Sequence, residues 1–384
     1  SDAHPMTLTR TLFLFFAIAT GCSRDSQQTP PVDLGSGELD LAVPADLLRP
    51  DLATADLAAK RGWTQVFASS GLRLNSVWGS SAGDVYAVGL QGTIFHSSGD
   101  DVWSQQKMGR EFELTSVSGS SAKDVYAVES ESVLHSTGDG AWSVVSGIQN
   151  ESAASFRQVF LTSPNSVYVA GSTSKAVPAY PTGGINIVRW ADRTATREYA
   201  RAEHAIGGLF GSGSTDLWAV GSYQQGGGTL GMVLHSTGDG VWSQQNFEPD
   251  KGILYLGTLT SVWASSKSDV YTAAGFQFVG GSGGIFRCAG RGTDWRRETD
   301  PKNPPFIYAL WGSGPADVWA VGFVKDGPNY NGLVLRSKGD GQWAPDPDLP
   351  AAKLVGLPLS GIWGSRYGDV YIVGQSGVIL HKRE

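Results

Sequence analysis

The sequence predicts an all-β fold, a seven-bladed β-propeller in which an N-terminal strand completes the last blade. Three observations predict it. A two-strand motif recurs seven times, at the period of about 40–50 residues that marks propeller blades. Each second strand is apolar on both alternating faces, as in Asp84-Val85-Tyr86-Ala87-Val88-Gly89, so it is covered on both sides. The two ends of the repeat region complement each other. Unit seven stops at Val378-Ile379-Leu380-His381, and the fourth strand it lacks stands before unit one as Gly62-Trp63-Thr64-Gln65.

Residues 1–22 read as a signal peptide. Arg10 precedes the apolar run Leu12 to Ala19, too short for a bilayer span of about 20 residues. The run ends in Ala19-Thr20-Gly21-Cys22, which resembles a bacterial lipobox with Ala19 in place of the usual leucine. The resemblance implies lipidation of Cys22 and, with Ser23 after it, an outer-membrane or cell-surface lipoprotein. Residues 23–61 read as a disordered linker, with Pro30, Pro31, Pro44 and Pro50 and Asp-Leu pairs such as Asp33-Leu34 and Asp51-Leu52. Such a coil would hold the domain of residues 62–384 roughly 35 Å from its anchor.

Within that domain the first strands are centred on Val77, Val117, Val159, Leu209, Val262, Leu310 and Ile362. The second strands carry Tyr86, Tyr126, Tyr168, Trp218, Tyr271, Trp319 and Tyr371. The third strand of unit one is Thr93-Ile94-Phe95-His96, and its fourth begins at Trp103 after a Gly-Asp-Asp turn. Unit three departs furthest, with Arg189-Trp190-Ala191-Asp192 and no tryptophan on its fourth strand. The pattern SVWGS…DVYAVG…GTI-H…G-W resembles bacterial repeat lipoproteins grouped with BNR or Asp-box, photosystem-assembly-factor and YVTN-type propellers. That resemblance covers about residues 62 to 384 and implies a fold and an exported location, without an activity.

Composition narrows the partners. The net charge is −7 with 17 % charged residues, and no basic run occurs, so a nucleic-acid surface is not expected. The chain has 51 glycines and 13 tryptophans, which suits a turn-rich sheet protein. Lipidation of Cys22 would leave Cys288 without an intramolecular partner, and Cys288 reads as a small strand residue. His96, His135, His235 and His381 hold equivalent positions in different units, so they read as structural, as do the aspartates before the second strands (Asp84, Asp124), expected to cap a turn. No metal loop, nucleophile elbow, P-loop or His-Glu-x-x-His occurs, and no cofactor is expected.

Loop lengths distinguish two faces. The first-strand aromatic position and the second-strand aromatic are 8 residues apart in every unit, as from Trp78 to Tyr86. The second-to-third connections vary: Leu90-Gln91-Gly92 in unit one, against inserts at residues 172–184, 222–231, 276–284 and 323–332 in units three to six. A varied face over a uniform scaffold reads as the binding face. Its candidate residues are Tyr180, Tyr223, Phe276, Phe278, Phe323 and Tyr330, with Phe247, Tyr255 and Phe306 on the fourth-to-first connections. Aromatics on glycine-rich loops suit protein or glycan recognition, or fold back onto their own loops. Glu129 and Glu131, on the unit-two hairpin, suit acid–base work or a cation, or a solvated hairpin. The expected function is a monomeric, lipid-anchored binding module for a protein or glycan. A glycan hydrolase or lyase and an envelope-complex assembly factor stay open.

Overall fold

The computed structural model describes residues 62–109, 111–148, 154–173, 186–249, 257–275, 283–290, 294–365 and 368–383. Cys22 and the linker lie outside them. The described chain is all-β apart from two short 3-10 turns, Leu90–Gly92 and Ala351–Leu354. Units one, two, five and six each form a four-stranded antiparallel sheet. In unit one the strands are Leu74–Ser81, Asp84–Gly89, Ile94–Ser97 and Ser104–Gln106, in that order across the sheet. Units three and four share one larger sheet, joined by the single bridge Ser172 to Ala205. Unit seven supplies Leu359–Gly364, Val370–Gly374 and Ile379–Arg383, and its fourth strand is Gly62–Phe67 from the other end of the domain. Trp63 lies opposite Lys382 and Thr64 opposite His381.

Neighbouring units are held by three repeated contacts. In the first, the second-strand aromatic meets a tryptophan of the next unit edge-on. The pairs are Tyr86–Trp142, Tyr126–Trp190, Tyr168–Trp242, Trp218–Trp295, Tyr271–Trp343 and Trp319–Trp63, with ring centroids 6.0 to 6.4 Å apart. Tyr371 of unit seven meets Trp103 of unit one in the same way, at 6.1 Å. Such edge-to-face pairs contribute about 0.5–1.5 kcal/mol each beyond their buried area. Unit three lacks the fourth-strand tryptophan and supplies Trp190 from its third strand, Ile187–Ala191, instead.

The second contact lies nearer the middle. The first-strand tryptophan of one unit covers a first-strand glycine of the next. A Cβ on Gly119 would stand 2.5 Å from Trp78, one on Gly312 2.6 Å from Trp263, and one on Gly364 2.5 Å from Trp311. Gly79 of unit one is covered by Trp363 of unit seven, at 2.7 Å. Unit two breaks the pattern with Ser118 in place of the aromatic. In the next unit the position equivalent to that glycine is Leu161, so a larger residue accompanies the smaller one.

The third contact is polar. Asn75 donates to the Leu114 carbonyl at 2.8 Å, Thr115 to that of Arg157 at 3.0 Å, Gln158 to that of Gly207 at 2.9 Å and Thr260 to that of Ile307 at 2.7 Å. Each stitch satisfies a backbone group of the following unit.

Between units seven and one, one aspartate adds a clasp. Asp101 sits at φ 63, where units two, four and six hold Gly140, Gly240 and Gly341 at φ 80 to 85. Its carboxylate reaches His381 Nδ1 and Arg383 Nη2, each at 2.7 Å. On the other side of unit seven, buried Lys382 pairs with Asp346 at 3.1 Å and with Asp348 at 2.9 Å.

The Ser118–Leu161 exchange yields a test. Ser118→Trp alone should destabilise the domain, because Leu161 fills the space an indole needs. Adding Leu161→Gly should restore stability, with a coupling of about 1–3 kcal/mol in a urea-unfolding double-mutant cycle. Additive effects would show that the two positions do not share that space.

Candidate functional site

The repeated aspartates and histidines are internal fastenings. In unit one Asp84 accepts from Ser80 Oγ at 2.6 Å and lies 2.8 Å from His96 Nε2. Unit two repeats this with Asp124, Ser120 and His135, and unit four with Asp216, Ser212 and His235. Units five and six put Arg287 and Arg336 in the histidine's place, each 2.7 Å from Asp269 or Asp317. The imidazole or guanidinium lies over the second-strand aromatic, as with Tyr371 and His381 at 3.9 Å or Trp319 and Arg336 at 4.5 Å. Serine donates to aspartate rather than to histidine, so no nucleophile is activated. The aspartates thus do more than cap a turn: they tie the first-to-second turn to the third strand.

The varied face is built differently from its sequence expectation. In units four and six the inserts are continuations of the second and third strands. These run Asp216–Gln225 with Gly228–Ser236, and Asp317–Asp326 with Asn329–Ser337. Alternation along these strands turns Phe323 inward, and the fourth-to-first connection of unit four folds Phe247 inward. Phe323 is 3 % exposed, and Phe247 is buried against Phe286 and Trp295, both at 5.4 Å. Glu129 is 1 % exposed while Glu131 is exposed, so the two carboxylates do not share one solvated hairpin. Glu129 stands where other units hold Gly89, Gly171, Gly221, Gly322 and Gly374. Tyr223 is half-buried beside His204, at 5.5 Å, and His204 Nδ1 is 2.9 Å from the Tyr199 hydroxyl. Burial first, then the Arg201 charge, lowers the pKa of His204 below its ordinary value. Tyr180, Tyr255, Phe276 and Phe278 lie outside the described residues.

What comes together is an aromatic cluster on unit six. Phe323 is surrounded by Phe306, Tyr308 and Tyr330 at 5.1, 5.7 and 5.3 Å. Tyr308 is 37 % exposed and Tyr330 40 %. Val355, 58 % exposed, lies on the connection beside them, where the Gly356 amide donates to Asn331 at 3.1 Å. Burial raises the pKa of the Tyr308 phenol and the nearby Arg73 charge opposes this. Arg73 in turn pairs with Glu113 at 2.5 Å, and Asn75 donates to Glu113 at 2.8 Å. Phe112, 54 % exposed, precedes Glu113. Reading the sequence missed Tyr308, Arg73 and Phe112 because they sit at strand starts and in a short connection, outside the inserts. The uniform face exposes Val102 and Val241, isolated aliphatic residues of the third-to-fourth turns.

Tyr308 and Asn75 also line a cavity of about 580 Å³ walled by first strands from all seven units. Its walls carry Trp78, Trp263, Trp311, Trp363, Phe160 and Phe210, with serine and threonine between them. Among the described residues the lining contains no Asp, Glu, His, Lys or Arg. No group of three or more metal-ligating side chains occurs among the described residues. The described lining offers aromatic and neutral polar side chains for contact.

The architecture is similar to that of solved structures. One is YCF48 bound to D1 peptide, with a TM-score of 0.60 and 18 % identity over 84 % of this chain and 96 % of that one. The chain has a β-propeller fold. Virginiamycin B lyase from Staphylococcus aureus matches with a TM-score of 0.59 and 13 % identity, over 83 % of this chain and 98 % of that one. The extracellular domain of the putative one component system BT4673 from B. thetaiotaomicron gives a TM-score of 0.59 and 10 % identity, over 84 % of this chain and 40 % of that one. At such identities the propeller likeness extends to the fold alone. No protein-family model matches the chain, and no curated protein does.

The fastenings make stability depend on pH. For Asp84 and Asp216, burial works to raise the pKa, but the hydrogen bonds from His96 and Ser80, or from His235 and Ser212, lower it below the ordinary 3.8. A folded pKa below the unfolded one gives stability that is complete above 3.8 and lost as pH falls below it. Urea midpoints measured from pH 6 down to pH 3 should fall at the acid end, and less steeply in Asp84→Asn/Asp216→Asn. An unchanged acid limb in that variant would remove these aspartates from the explanation.

Proposed function

We propose that the seven units form a closed seven-bladed propeller that acts as an exported, lipid-anchored module binding a protein partner through its varied face. The cluster of Phe306, Tyr308, Phe323 and Tyr330 beside the cavity mouth carries this reading. Phe323 holds the two partly exposed tyrosines in place, so little side-chain freedom remains to be lost on binding. Tyrosine rings held this way, with Arg73 beside them, have the composition of interface hot spots. Closure is supported by the pairing of Gly62–Phe67 with Ile379–Arg383 and by the Tyr371–Trp103 and Trp363–Gly79 contacts. A structural neighbour bound to a peptide and another that is an extracellular domain are in keeping with a protein partner and with export. The anchor is Cys22, on the lipobox resemblance.

Two measurements test the reading. The full chain should capture a stoichiometric protein partner from solubilised envelope. Tyr308→Ala/Tyr330→Ala should weaken that capture at least tenfold, about 1.4 kcal/mol, while Val241→Ala on the uniform face leaves it intact. Glycan-array binding with no protein captured would replace protein by glycan as the ligand. Separately, Cys22→Ala should move the protein from the membrane fraction to the soluble one. A variant that still pellets with membranes would rule out the lipid anchor.

A further inference from the structure

The absence of charge in the cavity lining limits what can enter it. Every first strand contributes to that lining, yet among the described residues Tyr308 is its single ionisable side chain. At the starts of the first strands Arg73 and Glu113 are paired with each other at 2.5 Å, and Arg157, next to the lining residue Gln158, is exposed to water. A charged residue brought inside would give up its water without gaining a counter-ion, a cost of several kcal/mol. The polar side chains of the wall are also largely committed. Asn75, Thr115, Gln158 and Thr260 already donate to carbonyls of the following unit. The hydroxyls of Ser212, Ser265 and Ser313 already donate to Asp216, Asp269 and Asp317. Few directional hydrogen bonds are left for a saccharide, whose hydroxyls need many, whereas the aromatic walls remain available to apolar groups.

On these grounds we infer that the cavity receives an uncharged, largely apolar segment of the partner polypeptide and excludes segments carrying Asp, Glu, Lys or Arg. The inference rests on the protein-binding reading above and adds which part of the partner enters. The varied face would supply the outer contacts through Tyr308 and Tyr330, and the cavity would act as a filter against charge.

The test is a random dodecapeptide phage library panned on the full chain, and in parallel on Ser360→Arg, which places a bulky cation in the lining. Ser360→Ala serves as the conservative control, and circular dichroism checks that all three proteins are folded. Peptides enriched on the wild type and on Ser360→Ala should share an uncharged run and should be lost on Ser360→Arg. Synthetic versions with one Asp or Lys placed in that run should bind at least tenfold more weakly by fluorescence anisotropy. Enriched peptides with a shared charged residue, enrichment that survives Ser360→Arg, or no enrichment at all would each overturn the inference. Should Ser360→Arg leave peptide binding intact while Tyr308→Ala/Tyr330→Ala abolishes it, the cavity inference falls and the varied-face reading stands. Loss of neither would remove both.

Discussion

The arrangement depends on one contact, the edge of a tryptophan set against the second-strand aromatic of the preceding unit. It recurs at 6.0 to 6.4 Å at every described junction between units. Both partners are fixed from behind. The aromatic lies under an imidazole or guanidinium that an aspartate orients in most units. The indole N–H of Trp142, Trp242, Trp343 and Trp63 donates to Gln106, Glu198, Glu298 and Asp346 of the preceding unit. Held on both sides, the pair sets the spacing between sheets, and the inner contacts follow from that spacing. Unit three shows how strongly the contact is required, since Trp190 fills the position from a different strand.

The inner contacts show the same economy of volume. Where an indole lies over the next unit, that unit has a glycine; where Ser118 replaces the indole, the next unit has Leu161. Packing of this kind fills the space between units and leaves the middle walled by aromatic and small neutral residues. The charges needed to fix each sheet sit further out, in the Asp–His and Asp–Arg fastenings. The framework and the proposed recognition surface therefore use different parts of the same repeat. The framework uses the repeated aspartates and histidines, and the described lining of the cavity is left to aromatic and neutral residues.

Much of this was legible in the residues because a repeat is read many times over. Seven copies identify Asp84 and His96 as framework, and the short last unit points to Trp63 as its missing partner. The candidate surface was less legible, since each of its parts occurs once. Phe323 and Tyr330 were found because they lie in an insert. Tyr308 was not, because it sits near the start of an ordinary first strand, and it meets Phe323 only when the two strands pair. Phe247 and Glu129 read as exposed but are interior, because chain position alone does not say which way a side chain points from a connection or a strand end.

The sequence alone determined the propeller-type repeat, the parts of each unit and the face on which variation collects, because all of these are periodic and local. The tertiary structure decided which varied residues meet, which turn inward, and that the described lining of the central cavity carries no charge. Those properties depend on strands far apart in the chain coming to within a few ångströms of one another, and no local pattern of residues encodes that distance.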